Sequence, residues 1–178
     1  MMNDLYEIRS ATGADLNALH ALVERAYRGD SARRGWSHEA DLLGGQRTDR
    51  ASLAETLHDP RLLLLVMLQQ GAVIASVTLT DKGGGLAYLG MLAVDPTLQA
   101  GGIGRAMLSQ VEAIAQQKMG IATIEMTVIA SRTELVPWYE RRGYVLTGER
   151  RPFPATDPRF GLPKRDDLEF VVLAKSLA

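Results

Sequence analysis

The chain has 178 residues, 46% of them apolar, with 20 basic and 21 acidic residues and a formal net charge of −1. That length suits a single domain spanning residues 1–178, and the charge balance gives no electrostatic argument for nucleic-acid binding. There is no cysteine, which excludes a disulfide framework, thiolate–metal sites and a cysteine nucleophile.

The longest apolar run, Leu62 to Leu68, falls far short of the ~20 residues a membrane helix needs. Residues 1–9 mix polar and apolar positions without a signal-peptide pattern, so a cytoplasmic location is the expectation. His20, His38 and His58 are scattered without ligand spacing, and no metal site is expected.

Tyr6 to Arg9 reads as a short first strand, followed by Thr12 as a helix N-cap. Leu16, Leu19, Leu22, Val23 and Ala26 then share one face of a helix running to about Tyr27. Residues 28–48 are irregular and carry Trp36, His38, Glu39 and Asp41. An aromatic and two carboxylates ahead of a helix suit a lid or a substrate wall, although Arg33, Arg34 and Arg47 dilute its acidity. Thr48 or Asp49 can cap a second helix ending near His58, which Asp59-Pro60 closes. Leu62–Leu68 and Ala72–Thr80 read as two strands of a hairpin, and Asp81 to Gly85 as a plain turn.

Tyr88 to Val94 is apolar nearly throughout, as a strand covered on both faces should be. Asp95-Pro96 stops it. Gln99-Ala100-Gly101-Gly102-Ile103-Gly104 leads into a helix with Ile103, Met107, Val111 and Ile114 at helical spacing, ending near Gly120. The first N–H groups of a helix lack internal partners and carry partial positive charge. Three glycines in four residues let a ligand approach that backbone, so the join suits a phosphate or pyrophosphate. Arg105, poorly placed for the helix dipole, makes sense beside a polyanion. The spacing matches neither the P-loop nor the dinucleotide fingerprint.

Ile121–Ile129 is the next strand, with Ile124, Met126 and Val128 facing one way and Glu125 and Thr127 the other. Ser131-x-x-Glu134 has the form of a capping box opening a helix from Glu134 to Arg142. Tyr144–Arg151 and Asp167–Leu173 are the last two strands. Between them a connection with four prolines carries Phe153 and Phe160, which can clamp the loop to the core or wall a substrate pocket. The element order gives an α/β (α+β) protein whose mixed sheet of about seven strands has helices on both faces.

Gln99, Gly102 and Gly104 in a Gln-x-x-Gly-x-Gly pattern, preceded by Val94-Asp95-Pro96, resemble the acetyl-coenzyme A signature of the GNAT family of N-acetyltransferases. Trp138-Tyr139-Glu140 followed by Gly143-Tyr144 resembles a second motif of the same family, with Arg132 where that family commonly has asparagine and Leu135 where it has alanine.

The resemblance implies a mostly antiparallel central sheet and direct acetyl transfer from acetyl-CoA to the amine of a small molecule. It implies that the backbone of Leu92, Ala93 and Val94 runs alongside pantetheine. The amides of Ala100, Gly101, Gly102, Ile103, Gly104 and Arg105 would hold the pyrophosphate, with Gln99 also among the cofactor-binding residues. Arg132 would border the cofactor arm, and Tyr139 would protonate the leaving thiolate. The strand Tyr88–Val94 offers no Asp, Glu or His as a base. Glu39 is the first candidate, ahead of Glu125 and His38, with a water chain as the alternative to a dedicated base. Trp36, Glu39 and Phe153 are the expected substrate-binding residues. A protein- or peptide-directed acetyltransferase and a non-catalytic CoA-binding module stand as alternatives, and the resemblance allows a homodimer.

Overall fold

The computed structural model describes residues 6–27, 43–44, 48–153, 162–164 and 168–177. In chain order its strands and helices are β1 (Glu7–Ser10), α1 (Leu16–Tyr27), β2 (Leu43–Gly44), α2 (Arg50–His58), β3 (Leu62–Gln69), β4 (Ala72–Gly83), β5 (Leu86–Val94), α3 (Ile103–Lys118), β6 (Thr123–Ile129), α4 (Leu135–Glu140), β7 (Val145–Pro152), β8 (Leu162–Pro163) and β9 (Glu169–Ser176). Seven strands make one sheet in the order β1-β3-β4-β5-β6-β9-β7, and β2 pairs with β8 separately. Every neighbouring pair in the large sheet is antiparallel except β5 with β6, which are joined through α3.

Strand β3 shows why this chain makes a sheet covered on both sides. Leu64, Val66 and Leu68 point to one face, where they pack with Leu19 of α1 and Leu53 of α2. Leu65 and Met67 point to the other, into the cluster that holds Met107, Leu108 and Val111 of α3. A strand serving two cores cannot alternate apolar with polar, hence the unbroken apolar run. Leu19, Leu22 and Val23 of α1 are fully buried, each contributing about 1.5–3 kcal/mol relative to exposure.

Local chemistry fixes the helix starts. The Thr12 N–H donates to the Asp15 carboxylate at 2.7 Å. Arg9 of β1 donates two further bonds to the same carboxylate, at 2.8 and 3.0 Å, which tie the first strand to the first helix. Asp49, rather than Thr48, caps α2 by accepting from the Ser52 N–H at 2.7 Å.

Three expectations are corrected. Strand β4 continues to Gly83, because Asp81 pairs with Ala87 and Gly83 with Leu86, so the expected loop shrinks to Gly84-Gly85. The capping box at Ser131 does not form. The Arg132 N–H closes on the Ile129 carbonyl and the Leu135 N–H on the Arg132 carbonyl, so the helical turn begins at Leu135 and the Glu134 carboxylate faces Arg132 Nε at 3.8 Å. Helix α4 is accordingly short, ending at Glu140.

Strand β9, last in sequence, inserts between β6 and β7. The β2–β8 pair matches Leu43 with Pro163 and Gly44 with Leu162. It ties the segment before α2 to the segment after β7 by backbone hydrogen bonds.

Candidate active site

The site originates in a fault in β5. Ser76 of β4 pairs with Ala93 and Thr78 with Gly90, so β5 carries one extra residue over that interval. Met91, inside it, takes a left-handed φ of +46°, the mark of a β-bulge, which bends and twists the strand that bears it. On its other side β5 pairs with β6 only at Leu86–Thr123, Ala87–Ile124 and Tyr88–Glu125. Beyond Tyr88 the two strands diverge, and no ladder pair joins β5 to β6.

The wedge between them is a cavity of about 320 Å³. Leu89 to Leu92 form one wall and Met126 to Ile129 the other. Arg132 and Tyr139 close one end, Thr78 and Thr80 of β4 contribute hydroxyls, and Phe153 and Phe170 add aromatic surface.

Tyr139 is buried, with its ring edge-on to Trp138 at 4.9 Å and to Tyr144 at 5.8 Å between centroids. Burial pushes its phenol pKa well above the ordinary value. Tyr27 and Tyr88 add to the rise, while Arg132 and Arg142 oppose it. The phenol therefore keeps its proton throughout the neutral range and holds it at the cavity wall. Arg132 is 4% exposed, a guanidinium buried in the same space.

Three hydrogen bonds at the cavity lie outside the sequence motifs. The Tyr27 hydroxyl, from the end of α1, donates to the Leu92 carbonyl. It thereby anchors the bulged strand on the far side of the bend. The Tyr88 and Thr127 hydroxyls meet at 2.6 Å across the mouth of the wedge. The Thr78 hydroxyl also donates to the Gly90 carbonyl at 2.8 Å. A signal for these existed: Ser76, Thr78 and Thr80 place hydroxyls on one face of an otherwise apolar strand, where a core strand has no need of them.

Of the expected site residues, Leu92, Arg132, Tyr139 and Phe153 meet at the cavity. Phe153 also packs on Phe170, at 5.3 Å between centroids, so it is clamp and wall at once. Ala93 and Val94 turn their side chains into the cores on opposite faces, leaving only backbone to a ligand. Gln99, Ala100 and Gly101 belong to a 3-10 turn, and Gly102 takes a left-handed φ of +76° immediately before α3. Ile103, Gly104 and Arg105 form the first turn of α3. Gly101 to Arg105 do not line the cavity; they stand past the end of β5. Trp36, Glu39, His38, Asp41 and Phe160 lie outside the described residues.

Glu125 is not on the cavity. Its carboxylate takes Arg151 Nη2 at 3.4 Å, so the structure corrects its candidacy as a base: it is committed to a structural ion pair. No described lining residue is Asp, Glu or His.

The loop has the room its chemistry asks for. A Cβ on Gly101 would meet nothing within 4 Å, and one on Gly102 would meet Arg105 Nη2 at 3.7 Å. Open space therefore lies beside the two glycines that lead into α3, with a guanidinium next to it. Together with the stretch of β5 that forms no ladder with β6, this turn fits a long ligand with amides at one end and phosphates at the other.

Comparison with known proteins agrees. Residues 37–153 match the family model described as acetyltransferase (GNAT) domain. Over 92 residues the chain is 30% identical to the S-(2-succino)cysteine N-acetyltransferase of Bacillus subtilis, a match covering 48% of this chain and 56% of that one. The chain therefore matches little more than half the length of that curated relative.

Three solved structures share the fold. The ribosomal-protein-S18-alanine N-acetyltransferase of Escherichia coli has a TM-score of 0.71 at 23% identity, over 98% of this chain and 95% of that one. A chimeric spermidine N-acetyltransferase SpeG built from the Vibrio cholerae enzyme and hSSAT gives 0.71 at 16%, over 97% and 96%. The yncA protein of Salmonella typhimurium, solved with its cofactor acetyl-CoA, gives 0.71 at 16%, over 97% and 94%. Bulged strand, wedge, glycine turn and family match coincide, and the chain belongs to the GNAT family of acetyltransferases.

Proposed function

We propose that this protein transfers the acetyl group of acetyl-CoA directly to the amine of a small molecule, with Tyr139 as general acid. The observation that carries it is the protonated, buried Tyr139 phenol on the wall of the β5–β6 wedge. Acetyl-CoA supplies an acetyl thioester, whose acyl carbon an amine can attack without an acyl-enzyme. The residues have three tasks. Backbone groups of β5 beyond Tyr88 and amides from Ala100 to Arg105 hold and orient the cofactor. Tyr139 keeps a proton at its phenol oxygen for the leaving sulfur, a role worth about 10²–10⁴ in rate. Phe153, Phe170 and the hydroxyls of Tyr88 and Thr127 bound the acceptor.

A small acceptor suits a cavity of about 320 Å³. Among the described residues the lining carries no carboxylate. That fits a carboxylated amine of the kind named for the curated relative, S-(2-succino)cysteine, better than a polyamine. Glu39 remains the proposed base, acting from the segment ahead of α2.

Calorimetric titration with acetyl-CoA, followed by an amine screen read by thiol release, tests this. Binding with turnover of a carboxylated amine, lost in Tyr139→Phe, supports the proposal. Binding without turnover on any amine would favour a CoA-binding module instead, and no binding at millimolar acetyl-CoA would overturn both.

A further inference from the structure

Helix α1 ends on the bulged strand. Ala26 and Tyr27, with Leu22 and Val23 one turn earlier, form a buried cluster with Ala93, and Met91 packs against it. Two polar contacts from the same end of α1 reach the chain on either side of Ala93. Arg25 Nη2 donates to Asp95 Oδ2 at 3.2 Å. Asp95 in turn accepts from the Thr97 N–H at 3.0 Å and the Thr97 hydroxyl at 2.7 Å, in the turn that leads to Gly102. The second contact is the bond from the Tyr27 hydroxyl to the Leu92 carbonyl.

The ladder fixes where that carbonyl points. The Asp95 N–H donates to the Ile74 carbonyl at 2.9 Å, Ala75 faces Val94, and Ser76 faces Ala93. Bonded and non-bonded pairs alternate along an antiparallel ladder, so the Ala93 N–H is turned to Ser76 of β4. The Leu92 carbonyl belongs to the same trans peptide and points the opposite way, to the side where β6 has diverged. No described strand pairs with β5 there, and Leu92 is 2% exposed. A buried carbonyl in that position needs a donor from elsewhere, and Tyr27, 65 positions away, supplies it. Tyr27 also lines the same cavity as Tyr139. After burial itself, Tyr27 is the largest cause of the raised pKa of the Tyr139 phenol.

We propose that Tyr27 is a positioning residue for acetyl transfer: its hydroxyl fixes the Leu92 peptide at the open edge of β5 and so sets where the thioester stands relative to Tyr139. This rests on the acetyl-CoA reading above. Tyr27 acts through Leu92 rather than on the reacting atoms. The two contacts of α1 divide the work. Arg25, through Asp95 and Thr97, serves the turn beside the phosphates, whereas Tyr27 serves the strand beside the thioester. A misplacement of about 1 Å at a reacting group can cost 10²-fold in rate. An ion pair whose arginine side chain is 42% exposed contributes far less.

The test is steady-state kinetics, calorimetry with acetyl-CoA and thermal denaturation of the full chain, for wild type, Tyr27→Phe and Arg25→Gln. Tyr27→Phe keeps the ring in the cluster with Ala93 and loses only the bond. Its kcat should fall about ten- to a hundredfold, with the acetyl-CoA Kd within about threefold and the melting temperature lowered by less than about ten degrees. Arg25→Gln should show the opposite split, with acetyl-CoA bound about two- to fivefold more weakly and a smaller loss of kcat than in Tyr27→Phe. A merely structural role for the end of α1 would lower both melting temperatures and give the two variants the same kinetic pattern, which overturns the assignment. A Tyr27→Phe protein that does not fold, or one whose kcat stays within threefold of wild type, overturns it too. In the latter case wild-type turnover leaves the acetyl-CoA reading intact. Wild type that does not bind acetyl-CoA overturns that reading itself.

Discussion

The Tyr88 hydroxyl and the Thr127 hydroxyl lie 2.6 Å apart across the wedge; Tyr88 belongs to the last ladder pair between β5 and β6, and Thr127 stands two residues past its partner there, Glu125. A side-chain bond thus takes over where backbone pairing stops. Tyr88→Phe or Thr127→Val should cost about 0.5–1.5 kcal/mol of stability. Both hydroxyls also line the pocket beside the proposed acceptor position, so steady-state kinetics should show a raised KM for the amine with the acetyl-CoA dissociation constant unchanged. A change in acetyl-CoA affinity alone would move the pair to the cofactor side.

Tyr139→Phe separates acid catalysis from packing. The edge-on contacts to Trp138 and Tyr144 use the ring rather than the hydroxyl, and Phe keeps them. The melting temperature should therefore stay within a few degrees of wild type, while kcat falls about 10²–10⁴-fold with acetyl-CoA binding retained. A kcat within threefold of wild type would remove Tyr139 from the chemistry.

Gly102 holds a left-handed φ of +76° at the entrance to α3. Gly102→Ala should cost about 1–2 kcal/mol of strain and bind CoA weakly, since its Cβ enters the space beside Arg105. Gly102→Glu should abolish binding by placing a like charge against the phosphates, without abolishing the fold. Calorimetry for CoA and thermal denaturation for the fold distinguish these effects.

Asp15 gives the fold an acid limit. The Arg9 guanidinium, aided by the Thr12 N–H, holds its carboxyl down at about 2, below the ordinary 3.8. A depressed folded-state pKa contributes stability that is fully present above the unfolded value and lost as pH falls through the folded one. Denaturant midpoints should therefore decline between about pH 4 and pH 2. Asp15→Ala should flatten that stretch of the curve and lower stability at pH 7 by about 1–2 kcal/mol.

The strands were legible wherever one residue type decided the matter. Leu62–Leu68 has no polar residue to contradict a doubly covered strand, and Asp95-Pro96 leaves only one place for β5 to end. The glycine turn was legible because Gly102 needs a conformation other residues resist. The wedge was not, because it depends on register: nothing local to Gly90-Met91-Leu92 says that three residues will face two of β4. Tyr27 was hidden for a related reason, since a tyrosine closing an amphipathic helix reads as core until the partner 65 positions away is known. The insertion of β9 between β6 and β7 is also a long-range choice, made by shared burial rather than by any local pattern. The Ser131 box misled because its spacing was right while the chain had already spent those residues on turns closing at Ile129 and Arg132.

The extra residue in β5 has an evolutionary side. An opening produced by one surplus amino acid can be closed by the loss of one codon. Without Met91, β4 and β5 could pair in unbroken register, β5 could lie straight beside β6, and the amides now turned to the wedge would be consumed by the sheet. Such a protein should melt higher and bind no CoA. Thermal selection alone would favour that deletion, so the left-handed methionine in the middle of the central sheet is the position at which regularity gives way to the opening.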